Sequence, residues 1–339
     1  MASQFSSCEI CCSAIPFESA RRAELLSRAA GDGVAARVER ALSLNLQSQA
    51  SSRLGDTRAA LRLADRALVL TNELGEAARR VRADSLKSLG MAYHTLGQFE
   101  QAEEFKAQSL ALYRELGDRR MVGNLLNSLG ETARLRGDYA AALVRYQEAL
   151  SIAREIGNRI GTILYFSNLG GTRVGLGEYA EAESDLRQTI ELATAAGFVG
   201  LSENYRFLAE ALIGQGRVAE ALDAALHALE LGREIENQEH IAEGWRVLGL
   251  IASRSSAPVA VDEDSYDAAR CFSESLAVFT RIQMEAERAR TLRDWARHEL
   301  ARGDKARGQE HWREARASFQ RLGMKLEVER MSAEAADKN

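Results

Sequence analysis

Proline is nearly missing from this sequence: Pro16 and Pro258 are the only two in 339 residues. So few breaks allow long helices and exclude collagen-like and proline-rich classes. Aromatic residues make up only 6%, and β-branched residues are sparse beside abundant Ala and Leu, which argues against sandwiches and barrels. Neither sign of charge dominates. The chain has 44 basic and 49 acidic residues, a formal charge of −5 and a pI near 5.8, which is not the balance of a nucleic-acid or membrane-surface binder. No stretch approaches the roughly 18 uncharged apolar residues of a transmembrane helix. A mean hydropathy of −0.27 with mixed charges excludes wholesale disorder.

Cysteine is also scarce. Cys8, Cys11 and Cys12 crowd together near the start and Cys271 stands alone. A zinc site needs a second ligand pair at fixed spacing, and none of the histidines supplies one nearby, so no metal is expected. The segment 1–17 is expected to be a disordered tail with reduced thiols. Its opening residues carry no basic stretch followed by an apolar one, and Ala2 excludes N-myristoylation, so a cytoplasmic location is expected.

What the chain does have is a repeat. Gly97, Gly137, Gly177 and Gly216 are spaced by 40, 40 and 39 residues. Gly55-Asp56 lies one period upstream, and Gly303-Asp304 two periods downstream with an insertion between. Small and apolar positions recur at helical spacing: Leu126, Leu129, Gly130 and Ala133 mark one helix, then Tyr139, Ala142, Tyr146 and Ala149 the next. Gly137 sits between them, where a helix must end in a left-handed residue, and Asp138 follows as an N-cap. The reading is a helical hairpin used again and again.

These residues resemble the tetratricopeptide repeat. Trp245-Arg246-Val247-Leu248-Gly249 is similar to its opening, and Gly97-Gln98-Phe99 with Ala102 to its middle. The period is near 40 where the family has about 34, and the closing proline is absent. Both departures are similar to the longer-helix subtype of kinesin light chains, of spindle adaptors rich in Leu-Gly-Asn repeats, and of the C-terminal arms of bacterial signalling ATPases and class III cyclases. The resemblance implies an all-α fold, a right-handed α-solenoid of stacked antiparallel hairpins. About seven repeats are expected over 34–323, after a capping helix at 18–33. The run 253–264, with Pro258, serines and acids, is expected to be a surface loop without core residues, with helix resuming near Ser265. Residues 324–339 are expected to form a C-terminal cap and tail.

No catalytic constellation is present, and the chain is not expected to be an enzyme or to carry a cofactor. There is no phosphate-binding Gly-rich loop before Lys-Ser/Thr, no nucleophile elbow and no His-Glu-x-x-His helix. Gly170, Gly171, Gly175 and Gly177 fall at repeat positions inside a helical pattern, and the five histidines are scattered over several repeats. Binding is left. The resemblance implies that the second, fifth and ninth positions of each repeat line the concave face and contact a partner. They are Asp84, Lys87 and Met91; Asn124, Asn127 and Glu131; Leu164, Ser167 and Gly171; Glu203, Arg206 and Glu210; Glu243, Arg246 and Leu250; and Arg290, Arg293 and Arg297. Asn124 and Asn127 suit a peptide backbone, because an amide both donates and accepts. Asn124, Asn127, Arg206 and Arg246 are expected to face solvent. The arginines at 290, 293 and 297 need an anionic answer, from an acidic partner or from Glu299, Glu310 and Glu314. Lys87 fits the carboxylate clamp of chaperone-binding relatives, but Met91 replaces its Asn, so chaperone tails are not expected. The expected partner is a protein or peptide segment, with no nucleic acid and no membrane. The alternative is a regulatory or sensor arm of a bacterial signalling ATPase, transcriptional regulator or class III cyclase.

Overall fold

The computed structural model describes residues 21–22, 24–25, 31–198 and 200–336. The expected tail 1–17 with Cys8, Cys11 and Cys12 lies outside the described residues, as do most of the expected cap 18–33 and residues 337–339. The chain is helical almost throughout: α1 (Val34–Arg53), α2 (Thr57–Asn72), a 3-10 turn (Gly75–Ala78), α3 (Arg79–Thr95), α4 (Phe99–Glu115) and α5 (Arg119–Leu135). Then follow α6 (Tyr139–Glu155), α7 (Arg159–Leu176), α8 (Tyr179–Ala195), α9 (Ser202–Gly214), α10 (Val218–Glu234) and α11 (Gln238–Ser255). After two short strands come α12 (Ala268–Arg281), α13 (Glu285–Arg302), α14 (Lys305–Arg321) and α15 (Lys325–Ala336). It is an all-α solenoid of antiparallel hairpins.

One turn chemistry repeats along it. At the end of α5 the Gly137 amide donates to the Arg134 carbonyl at 3.0 Å and the Asp138 amide to the Ala133 carbonyl at 2.8 Å. This closure puts Gly137 at φ +85°, in the left-handed region. The Asp138 carboxylate then accepts from the Ala141 amide at 3.1 Å and opens α6. Asp56, Asn158, Asn237, Asp267 and Asp304 cap their helices the same way. Gly117, Gly157 and Gly197 make the same left-handed turn between one hairpin and the next, and further along Glu236 and Gln283 take it themselves, at φ 53° and 60°. Helices of a hairpin touch through small residues: a Cβ on Gly170 would stand 2.7 Å from Leu186 Cγ.

Gly177 allows a clean test of this turn. Its φ is +80° and nothing lies within 4 Å of an added Cβ, so a side chain there meets backbone strain alone. Gly177→Val is therefore expected to cost about 1–2 kcal/mol in chemical denaturation. An unchanged midpoint would mean that the left-handed turn at 177 is not what ends α7.

The described residues fall into two compact units, one up to Thr132 and one from Ala133 on. In the first, Ala41, Leu44, Ala67 and Val81 form a buried cluster on α1, α2 and α3. In the second, one continuous core runs from Ala182 and Leu186 on α8 to Trp295 on α13, taking in Phe207, Trp245 and Phe272. Cys271 is buried in this core, and burial pushes its thiol up to about 12, far from a nucleophile.

The insertion corrects the sequence reading. Residues 253–255 complete α11, and the chain then forms an antiparallel hairpin of β1 (Val259–Val261) and β2 (Asp264–Tyr266), with Val259 opposite Tyr266 and Val261 opposite Asp264. Val259 and Val261 are each only 3% exposed, and Tyr266 packs on Trp245 with ring centroids 4.7 Å apart. The segment has a core after all. Helix resumes at Ala268, three residues beyond Ser265. Among the described residues no helix is long and apolar enough to cross a membrane.

Candidate functional site

In the first unit, Asp84 and Lys87 pair with each other at 2.9 Å, and the Tyr113 hydroxyl donates to Asp84 at 2.7 Å. Burial and this carboxylate push the Tyr113 phenol well above its ordinary value. Met91 and Asn124 are exposed, while Asn127 and Glu131 are half-buried. Sequence reading missed the most unusual residue here. Lys106 on α4 is 1% exposed, and its ammonium donates to Thr132 Oγ1 at 2.8 Å and to the Ser128 carbonyl at 3.1 Å.

In the second unit, Leu164 is exposed on α7 and Ser167 is buried there, so neither is gathered with the charged positions. The remaining candidates converge, apart from Glu203, which is not part of the cavity wall. Arg206 and Glu210 on α9, Glu243 and Arg246 on α11 and Arg290, Arg293 and Arg297 on α13 line a cavity of about 370 Å³. Tyr139, Tyr179, Phe207, Leu250, Arg134 and Arg254 complete much of its wall. The one-in-two spacing of these helices is what gathers them. Alternate helices present the same face to one side, so residues about 40 apart in sequence become neighbours.

Arg206 and Arg246 are not the solvent-facing residues expected from sequence; they are 7% and 6% exposed. Arg206 pairs with Glu210 at 2.9 Å and Glu203 at 3.3 Å, and its guanidinium lies 3.7 Å from the Phe207 ring centroid. Arg246 joins three helices: it meets Glu243 at 3.0 Å, Glu210 at 2.5 Å and Asp294 at 2.7 Å. Burial works to raise the Glu243 carboxyl, but the Arg246 and Arg206 guanidiniums overcome it and hold Glu243 well below the ordinary carboxylate range. Asp294 follows the same logic: burial raises it, and Arg293, Arg246 and Arg297 together bring it down. Glu287 goes the other way. Burial raises it, and the Glu243 charge and a hydrogen bond between the two carboxyls sustain the rise against Arg290.

The arginine stripe is answered internally, but not by the acids expected. Arg290 pairs with Glu287 and donates to the Leu135 carbonyl at 2.8 Å, closing α13 onto the last turn of α5 within the second unit. Arg293 pairs with Glu327 at 2.6 Å, and Arg297 reaches Asp294 at 3.0 Å and Glu334 at 2.9 Å. Glu299 instead accepts from the Trp295 indole at 2.8 Å, Glu314 pairs with Arg288, and Glu310 is exposed. The answering acids Glu327 and Glu334 are on α15, which sequence reading treated only as a cap.

Residues 39–115 and 121–195 match the family model of the tetratricopeptide repeat. No curated protein matches the chain. Among solved structures, the apo form of RapI is similar over 83% of this chain and 99% of its own, with a TM-score of 0.68 at 15% identity. The Rap conjugation gene regulator of plasmid pLS20, solved in complex with the Phr* peptide, is similar over 87% of this chain and 78% of its own, with a TM-score of 0.67 at 14% identity. A signal transduction ATPase with numerous domains and a tetratricopeptide repeat sensor, from Pyrococcus horikoshii, is similar over 90% of this chain and 45% of its own, with a TM-score of 0.53 at 14% identity. At these identities the likeness is one of fold.

Proposed function

We propose that this array of tetratricopeptide repeats is a non-catalytic scaffold that captures a peptide or protein segment in the groove of its second unit. The observation that carries the reading is the convergence of three helices on one cavity of about 370 Å³, walled by guanidiniums, carboxylates and the rings of Tyr139, Tyr179 and Phe207. Flat rings supply contact area at low entropic cost, and the fixed charges select register. The likeness to a Rap regulator solved with a peptide supports the reading at the level of fold. In the first unit, Asp84, Lys87, Asn124, Asn127 and Glu131 are proposed as further contacts, with the Asn amides suited to an extended backbone. A second reading, a sensor arm of a signalling ATPase, is favoured by the likeness to the Pyrococcus horikoshii protein with its tetratricopeptide repeat sensor.

The test begins with capture of a partner by the full chain and its identification by mass spectrometry. Tyr179 is half-buried and Arg254 exposed, and both line the cavity, so Tyr179→Ala with Arg254→Ala leaves the charged network in place. The double variant is expected to bind the recovered partner about tenfold more weakly or worse. Equal affinity would remove the groove as the binding site.

A further inference from the structure

Helix α15 is built unlike a simple cap. Met324 just before it and Met331 within it are 0% exposed, and so is Glu327 between them. With Glu334 the buried face reads Met-x-x-Glu-x-x-x-Met-x-x-Glu, apolar and acidic side chains alternating along one side of a helix. Two methionines would serve to shield the end of α14. A fully buried carboxylate is a costly addition, because it must be stripped of water before its ion pair repays the loss.

The carboxylates also reach well beyond α14. Glu327 and Glu334 bind Arg293 and Arg297 on α13, while the Glu327 side chain lies 3.3 Å from where a Cβ would stand on Gly137. Arg330 covers the Tyr139 ring at 4.6 Å from its centroid. So α15 touches both α13 and the turn between α5 and α6, two margins of the same cavity. Apart from Arg330, that cavity is lined by seven arginines against four acids, Glu210, Glu243, Glu287 and Asp294. With α15 away, Arg293 and Arg297 keep only Asp294. The outer pairs are open to exchange, since the Arg297 and Glu334 side chains are 37% and 33% exposed.

We infer that α15 is an internal stand-in for the partner: the groove takes an acidic amphipathic helix with two carboxylates two turns apart, interleaved with apolar side chains, and such a helix binds by displacing α15. This rests on the groove reading above and names its ligand. Tethering gives α15 an effective concentration on the order of millimolar, so an outside helix with the same contacts competes poorly until the internal one is loosened.

The probe is a labelled synthetic peptide of residues 323–339, titrated against the full-length chain by fluorescence anisotropy. The wild-type chain is expected to bind it weakly. Full-length Glu334→Lys, altered at a half-exposed position, and Glu327→Gln, close in shape to the original, are each expected to bind it at least about tenfold more tightly. Adding Arg293→Glu and Arg297→Glu to the Glu334→Lys chain should abolish that gain, and raising salt should weaken it. Circular dichroism checks that each chain is folded, and two independent loosening variants guard against failure of one. Equal binding by wild-type and both loosened chains, or binding that survives reversal of the two arginines, overturns the inference. Absence of peptide binding to the loosened chains overturns it too, and leaves the groove reading to its own test on Tyr179 and Arg254.

Discussion

Arg246→Ala is expected to destabilise the second unit by about 3–5 kcal/mol. The guanidinium is 6% exposed and holds Glu243, Glu210 and Asp294 at 3.0, 2.5 and 2.7 Å, so its removal takes a partner from each of three carboxylates around a buried gap and leaves them only their pairs with Arg206, Arg293 and Arg297. Lysine should not rescue it, because one ammonium cannot fork to acids on three helices. The deficit should also depend on pH. In the wild type, Glu243 and Asp294 titrate below their unfolded values, so their contribution is present above the unfolded range and is lost as pH falls through the folded values. In the variant these carboxyls, each short of one guanidinium, take up protons more readily. The gap between the two proteins should therefore be widest near pH 7 and narrow as pH is lowered toward about 4.5. Urea unfolding by far-ultraviolet circular dichroism at both pH values measures it. A difference under about 1 kcal/mol at pH 7 would mean that the network contributes charge and no stability.

The same residue shows how far the sequence could be read. The turns were legible because they share a left-handed glycine, followed in several by a capping Asp or Asn, and Gly137-Asp138 and Gly303-Asp304 behave alike. Where Glu236 and Gln283 replace the glycine, the rhythm faded although the turn survived. The β-hairpin was hidden by Pro258 and its acids. Its signal was the alternation Val259-Ala260-Val261, two buried branched residues around an exposed one. For the site, repeat spacing placed Arg206, Arg246, Arg290, Arg293 and Arg297 on one face, and all five line the cavity. Their burial was not legible. Whether a helix face meets solvent or a carboxylate depends on elements far away in sequence, and Glu327 lies 34 residues beyond Arg293. The acids chosen, Glu299, Glu310 and Glu314, were the wrong ones: the stripe is answered by Glu287 and Asp294 on its own helix and by the distant Glu327 and Glu334.

Lys106 carries the second large expectation. Its ammonium is enclosed by α3, α4 and α5, with Thr132 Oγ1 at 2.8 Å, the Ser128 carbonyl at 3.1 Å and His94 Nδ1 at 3.3 Å. Burial lowers it from 10.5 to about 8, and the charges of Glu131 and Glu103 hold back only part of that fall. Between these two values the unfolded chain keeps a proton that the folded chain has lost. Stability must then rise with pH from about 8 to about 10.5, and below pH 8 the folded state carries the whole penalty. The window of about 2.5 pH units corresponds to about 3 kcal/mol. Lys106→Met keeps the length of the stem that lies over Gly90 and removes the titration. Subtracting its stability curve from that of the wild type cancels every other titrating group the two share. The wild type should gain about 3 kcal/mol relative to the variant between pH 7.5 and 10.5. At pH 7 the variant should be the more stable, since a buried charge replaced by a hydrophobe of similar volume is commonly a gain. The measurement is urea unfolding of both full-length chains across that range. Parallel curves would show that the Lys106 ammonium is solvated well enough to keep its ordinary value, and that its contacts with Thr132 and Ser128 offset the loss of water completely.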